Sequence, residues 1–275
     1  MEFVGRRILA IGIGMLVLVS GVIVYSMMPT PLLIPAKTQY HYERNLTSTD
    51  PRTTLVRLFE VADSEILISF INDPELLYSV DIEFSEPMSH WEDFTWLDAH
   101  QPPANLDEFN FIGINTGALI NGHIMLPDLS DVPVKSINLT LGISSSYEIQ
   151  VKGKNMTTTV RYDNGARLNE SELQYHDLAN EGGDVFIYMA SDVNLTSCSV
   201  DIDISGVNRA FLDIRNPEPL GGIIDVHGGV LDGVQLLGWV QGGYTGNWRF
   251  SRTTTEEIDI DVYAESTSIN LLTQS

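Results

Sequence analysis

Apolar and polar positions divide the chain into two unlike parts. From Ile8 to Met28 every residue is uncharged and nearly all are apolar. At about 1.5 Å per residue, such a run makes a helix roughly 30 Å long, the thickness of a bilayer core. Beyond Pro29 the pattern shortens to a period of two, the signature of half-buried strands. Residues 55–61, 65–71, 78–84 and 109–114 alternate in this way, with Val80, Ile82 and Phe84 predicted inward and Asp81 and Glu83 outward. Residues 118–126 continue the pattern around an Asn121-Gly122 turn. A second group of strands is expected at 136–142, 147–151, 157–162, 184–189, 199–204, 210–214 and 258–262, punctuated by Gly-Gly pairs at 182, 221, 228 and 242. No long segment after Met28 has a helical period.

These elements imply an all-β ectodomain behind one N-terminal transmembrane helix: a β-sandwich-like region, then a β-solenoid or sandwich region. The expected divisions are a tail at 1–7, the membrane helix at 8–28, a Pro-containing stalk at 29–53, a first β domain at 54–132, a second at 133–264, and a frayed tail at 265–275. The second half of the stalk, 40–46, has an alternative reading as a first strand. The apolar run exceeds the core of a signal peptide, and no small-residue cleavage site follows it. Arg6 and Arg7 adjoin it, which favours a cytoplasmic N-terminus and an external ectodomain.

Composition narrows the partners. A formal net charge of −22 over 275 residues leaves nearly all of the acid beyond the membrane segment. Such a surface disfavours nucleic acid and anionic lipid. The bilayer itself is expected as a partner through Ile8–Met28. Cys198 is the only cysteine, so no internal disulfide can form, and it reads as a small buried strand residue. Asn45, Asn138, Asn155, Asn169 and Asn194 head Asn-x-Ser/Thr sequons, all beyond the membrane segment, as glycosylation of an external domain requires. Sequons without paired cysteines behind an uncleaved anchor fit an archaeal or bacterial cell surface.

The segments Ser136-Ile137-Asn138-Leu139-Thr140-Leu141-Gly142, Tyr147-Glu148-Ile149 and Val160-Arg161-Tyr162-Asp163-Asn164 carry a strand-and-turn pattern. It resembles that of toast-rack domains, the stacked-strand surface domains that include adhesin-like and LiaF-like proteins. The resemblance covers roughly 136–215. It implies a solenoid-like fold with an adhesive or envelope-sensing role, and it transfers no functional residue.

Catalytic signatures are absent from the sequence: there is no G-x-S-x-G, H-E-x-x-H, P-loop or G-x-G-x-x-G. The six histidines lie far apart, and His227-Gly228-Gly229 reads as a turn after a strand at 223–226. No cofactor and no metal motif is expected. Carboxylates are the best material for a site. Asp201 with Asp203, and Asp259 with Asp261, each share one strand face; on neighbouring strands the four would offer Ca²⁺ its oxygens, and on separate strands they are solvated outer faces. Trp91, Phe94 and Trp96 lie between prolines in a loop, as a partner contact or as a plug over the first core. The sequence therefore favours a membrane-anchored binding or adhesion protein without catalysis, with a surface protein or glycan as its ligand. A structural subunit of a membrane complex is the alternative. A carbohydrate hydrolase is the second alternative, and it would need paired acids in a cleft.

Overall fold

The computed structural model describes residues 36–48, 50, 53–88, 95–96, 110–114, 118–120, 123–125, 134–143, 146–163, 166, 173–193, 199–217, 220–253 and 256–274. Lys37–Ser275 form one compact unit, and every regular element described in it is a β-strand. In chain order the strands are β1 (Lys37–Asn45), β2 (Thr53–Ala62), β3 (Glu65–Phe70), β4 (Leu76–Met88), β5 (Thr95–Trp96), β6 (Asn110–Ile114), β7 (Ala118–Ile120), β8 (His123–Met125), β9 (Val134–Leu141) and β10 (Ser146–Lys154). They continue with β11 (Thr157–Tyr162), β12 (Leu173–Glu181), β13 (Asp184–Met189), β14 (Ser199–Pro217), β15 (Leu220–His227), β16 (Val230–Leu237), β17 (Val240–Tyr244), β18 (Asn247–Arg252) and β19 (Glu256–Gln274).

Most of these strands pair off as two-armed rungs. In β2/β3, β10/β11, β12/β13 and β15/β16 a tight corner joins the arms, while β14 and β19 each run through the corner as one strand. The rungs stack in parallel. The first arms follow the order β6, β2, β10, β12, β14, β19, β15. The second arms follow β9, β3, β11, β13, β14, β19, β16. Antiparallel strands finish the stack. β5 lies on β6, β18 and then β17 extend β15, and β4 and then β1 extend β9. Stacking order departs from chain order at both ends. The earliest rung, β2/β3, sits between β6/β9 and β10/β11, and the last strand, β19, sits between β14 and β15/β16.

Strict alternation turns the stack into rows of like side chains. One inner row runs Val56, Ile149, His176, Ile202, Ile260, Ile224, Phe250 across seven strands. The opposing ladder supplies Leu139, Ile68, Val160, Ile187, Leu212 and Ile269. All of these are buried, and each fully buried aliphatic side chain contributes about 1.5–3 kcal/mol. β-branched residues suit these positions because their stiff χ1 packs well on a pleated surface.

The corners are made by residues with positive φ: Asp63, Asn155, Gly182 and Gly206. Their amides bond from rung to rung, Asp63 N to Lys154 O (3.1 Å), Asn155 N to Glu181 O (2.9 Å) and Gly182 N to Gly206 O (3.1 Å). Asn180 braces the inside of this stack. Its Oδ1 accepts from Met156 N (3.0 Å), and its Nδ2 donates to Met156 O (2.5 Å) and Asp184 O (3.4 Å).

The structure departs from the sequence reading in three places. Part of the expected stalk is β1, as in its alternative reading as a first strand at 40–46; it pairs with β4 because Tyr40 and Tyr42 alternate with His41 and Glu43 and pack against Phe84 and Tyr78. The two expected β domains are one unit, since β2 and β3 pair directly with β10 and β11. The expected frayed end, 265–275, lies almost wholly in β19, where Thr267, Ile269 and Leu271 point into the core. The membrane run 8–28, Arg6, Arg7, Trp91, Phe94, Cys198, Asn169 and Asn194 lie outside the described residues. Trp96 is described only as part of β5, facing Gly113 of β6.

Candidate functional site

Two outer faces collect chemistry. On the first arms, one outer row reads Arg57, Gln150, Asp177, Asp203, Asp261, Asp225, Arg249. A second row sets Tyr175, Asp201 and Asp259 side by side. β14 and β19 are thus neighbours, with Asp201 opposite Asp259 and Asp203 opposite Asp261, so the reading of separate solvated faces is corrected. Parallel in-register pairing explains the juxtaposition: the two strands carry the same Ile-Asp-Ile-Asp pattern, and matching their apolar faces aligns their acids.

Like charges opposite one another on a sheet are destabilising. Most of these aspartates have their own partner. Lys152 Nζ lies 2.8 Å from Asp177, Tyr175 Oη donates to Asp203 (3.0 Å), His227 Nε2 lies 3.4 Å from Asp261, and Arg249 Nε donates to Asp225 (2.7 Å). His227, expected in a turn, ends β15 and stacks on Tyr263 at 4.5 Å. Burial and the Asp203 hydrogen bond push the Tyr175 hydroxyl up to about 12. Asp201 and Asp259 accept no hydrogen bond from the described residues. Desolvation, then neighbouring carboxylates, raise both above the ordinary carboxylate value. Among the described residues no group of three or more His, Cys, Asp or Glu is arranged to hold a metal ion, the four aspartates included.

The cost of this face is testable. A carboxyl raised in the folded state penalises folding above its folded pKa, and the penalty fades as pH falls through that value toward the unfolded one. Asp259→Asn should therefore stabilise the chain at neutral pH by about 0.5–1 kcal/mol. The gain should shrink in acid. Urea unfolding at several pH values would show it, and a destabilised variant at neutral pH would mean that Asp259 has a favourable partner.

The outer face of the second arms is different. Leu67, Thr159, Phe186 and Phe211 form one row, and Ser69, Arg161, Tyr188, Asp213 and Asn270 form the next. Phe186 and Tyr188 are parallel at 6.4 Å between ring centres, and Tyr188 lies 5.8 Å from Phe211. All three rings are half-buried. A groove of about 730 Å³ opens beside them, lined by Thr159, Arg161, Tyr188, Ser191, Asp213 and Arg215 among others. Its charges are organised in pairs. Arg215 Nε and Asn270 Nδ2 both donate to Asp213 Oδ1 (3.1 and 2.9 Å), and Arg161 lies 3.4 Å from Asp163. In an acidic chain this groove is locally balanced, and it offers donors and acceptors beside aromatic surface.

None of these groove residues stands out in the sequence as a site. The available signal was Asp184–Met189, where Phe186 and Tyr188 put aromatics on the face opposite Val185, Ile187 and Met189. A strand apolar on both faces, with aromatics on one, marks a covered or binding surface. Of the sequons, Asn45, Asn138 and Asn155 are exposed, the last at a corner where its Nδ2 lies 3.3 Å from Asp63.

No known family profile matches the chain. No curated protein matches it either. Among solved structures, it is similar to a "putative cell adhesion protein" from Clostridium sporogenes at 16% identity, with a TM-score of 0.47 over 86% of this chain and all of that one. That likeness is too distant to carry residues or function across.

Proposed function

We propose that the chain is a non-catalytic binding module displayed on the outside of a cell by an N-terminal membrane anchor, and that the second-arm groove holds its ligand. The observation that carries this reading is the groove itself: its Tyr188 ring, flanked by Phe186 and Phe211, lies beside the Asp213–Arg215 pair that Asn270 supports. Aromatic rings contribute large contact area with few torsions to freeze. The adjoining acids, amide and guanidinium groups can pair hydroxyls as donors or acceptors. A ligand with an apolar ring face and a rim of hydroxyls, a surface glycan, suits both. Asp163 and Asp213 are each tied to an arginine, which ill suits them to the proton transfers of a glycosidase. The anchor rests on the apolar run at 8–28 and on Arg6 and Arg7.

Tyr188→Ala should weaken binding to a panel of surface polysaccharides about tenfold or more, the usual effect of losing a central aromatic, while moving the melting temperature little. Binding that survives the substitution, or no glycan bound by the native chain, would leave a protein ligand or none. Protease added to intact cells should digest residues beyond Pro29 and spare the tail. Protection of those residues would overturn the external placement.

A further inference from the structure

The two ends of the stack are finished in opposite ways. At one end the outermost second-arm strand is β1, whose sequence Lys-Thr-Gln-Tyr-His-Tyr-Glu-Arg-Asn carries Lys37, Glu43 and Arg44 along the edge. Charges on an edge strand are a standard protection against pairing with another chain. At the other end β16 pairs only with β19, and β17 only with β18, among the described strands. Both edges are open, and from Gly228 to Trp248 the sole charged residue is Asp232. The side chains there are accessible: Val230 is 59% exposed, Leu237 57%, Val240 68% and Tyr244 72%.

We propose that this uncharged end is a self-association surface, on which β16 pairs antiparallel with β16 of a second copy of the chain. Three observations select a second copy. An open strand edge is self-complementary about a two-fold axis, because each copy supplies the N–H and C=O groups that the other lacks. With a net charge of −22, two copies repel over most of their surface, and this end is where that repulsion is weakest. The register also fits. Pairing centred on Gln235, clear of the irregularity between Leu231 and Gly233, sets Gly233 opposite the partner's Leu237 and Val234 opposite its Leu236. The same register leaves Asp232 outside the paired residues, so the only acids on the edge do not meet. Gly233, Gln235 and Leu237 lie in line with Ser268, Asn270 and Leu272, and Val234 and Leu236 with Ile269 and Leu271, so the pairing is consistent in face as well as in register.

A single short edge, residues 233–237, buries less than a standard stable interface, so the dimer is weak and reversible. If the chain is anchored as proposed, many copies held on a surface would gain avidity from many weak pairs. That consequence rests on the anchor; the pairing itself does not.

Sedimentation velocity of the full chain in mild detergent, from about 10 to several hundred micromolar, tests the proposal. The native chain should shift reversibly from monomer toward dimer. The Leu237→Lys/Val240→Lys variant should stay monomeric throughout, with an unchanged melting temperature. Should the paired lysines lower that temperature, Gln235→Lys alone, which sets two lysines opposite one another at the centre of the pairing, takes their place. A native chain that is monomeric over the whole range overturns the proposal, and so does a variant that dimerises as the native chain does. Tyr188→Ala should dimerise normally, so failure here is distinguishable from failure of the groove.

Discussion

Between pH 7.5 and about pH 4.5, His176→Gln should gain about 2–3 kcal/mol of stability relative to the native chain. His176 occupies a position in an inner row that otherwise holds Val, Ile and Phe, and it is fully buried. Its Nε2 lies 2.8 Å from the Tyr162 hydroxyl, within a cluster where Phe70 stacks on Tyr162 at 4.6 Å. Its Nδ1 has no hydrogen-bond partner among the described residues. A protonated imidazole would bury an N–H there without an acceptor, and burial pushes the group down from 6.5 to about 3. The sign follows from linkage. As pH falls through 6.5 the unfolded chain takes up a proton at His176 and the folded chain does not, so stability is full above 6.5 and lost progressively down to about 3. Glutamine places an amide nitrogen or oxygen near Nε2 and cannot titrate. Asp201 and Asp259, raised by burial and then by their neighbours, act in the opposite direction in acid, but equally in both proteins. Urea unfolding of both chains across this range is the measurement. Parallel curves would mean that His176 is reached by solvent.

Asn180→Leu should cost about 2–4 kcal/mol at any pH in the neutral range. The replacement matches the side chain in size, but it removes three hydrogen bonds at once and leaves the Met156 N–H buried without its partner, while Met156 O keeps the Asp184 amide at 2.9 Å. Each orphaned buried group costs about 1–3 kcal/mol. Close packing leaves little room to adjust: a Cβ on Gly183 would stand only 2.0 Å from Asn180 Nδ2. A loss below about 1 kcal/mol would show that the corner stands on its backbone bonds alone.

These two residues also explain where sequence reading stopped. The strands with clean alternation, such as Val200-Asp201-Ile202-Asp203-Ile204, were legible because both of their faces obey the solvent rule. β12 was not, because His176 and Asn180 face inward and break the apolar pattern, although Leu178 between them keeps it. β1 read as a stalk because its inner residues are tyrosines on an edge, only half-covered. The separation into two domains failed for a different reason: parallel pairing joins strands far apart in sequence, such as β2 and β10, and no local signal records it. The acidic rows were readable as faces but not as neighbours, since register is a property of two strands. The groove was hidden because its lining comes from β3, β11, β13 and β14, strands that only stacking brings together.

The displaced order of the rungs has a consequence for how the chain can be made. Because β19, which follows β14 to β18 in the chain, separates β14 from β15/β16, the stack cannot be laid down rung by rung as the chain emerges. β15 to β18 have no parallel neighbour to grow on until Glu256–Gln274 arrives. The first rung is similarly held open until β6, β9, β10 and β11 flank it. Closure of this end is therefore governed by contacts of long sequence separation, which fold slowly. Until β19 is in place, a growing chain exposes the strand edges that the finished molecule covers. If the chain is exported as proposed, the route must hold it unfolded until Glu256–Gln274 has passed through.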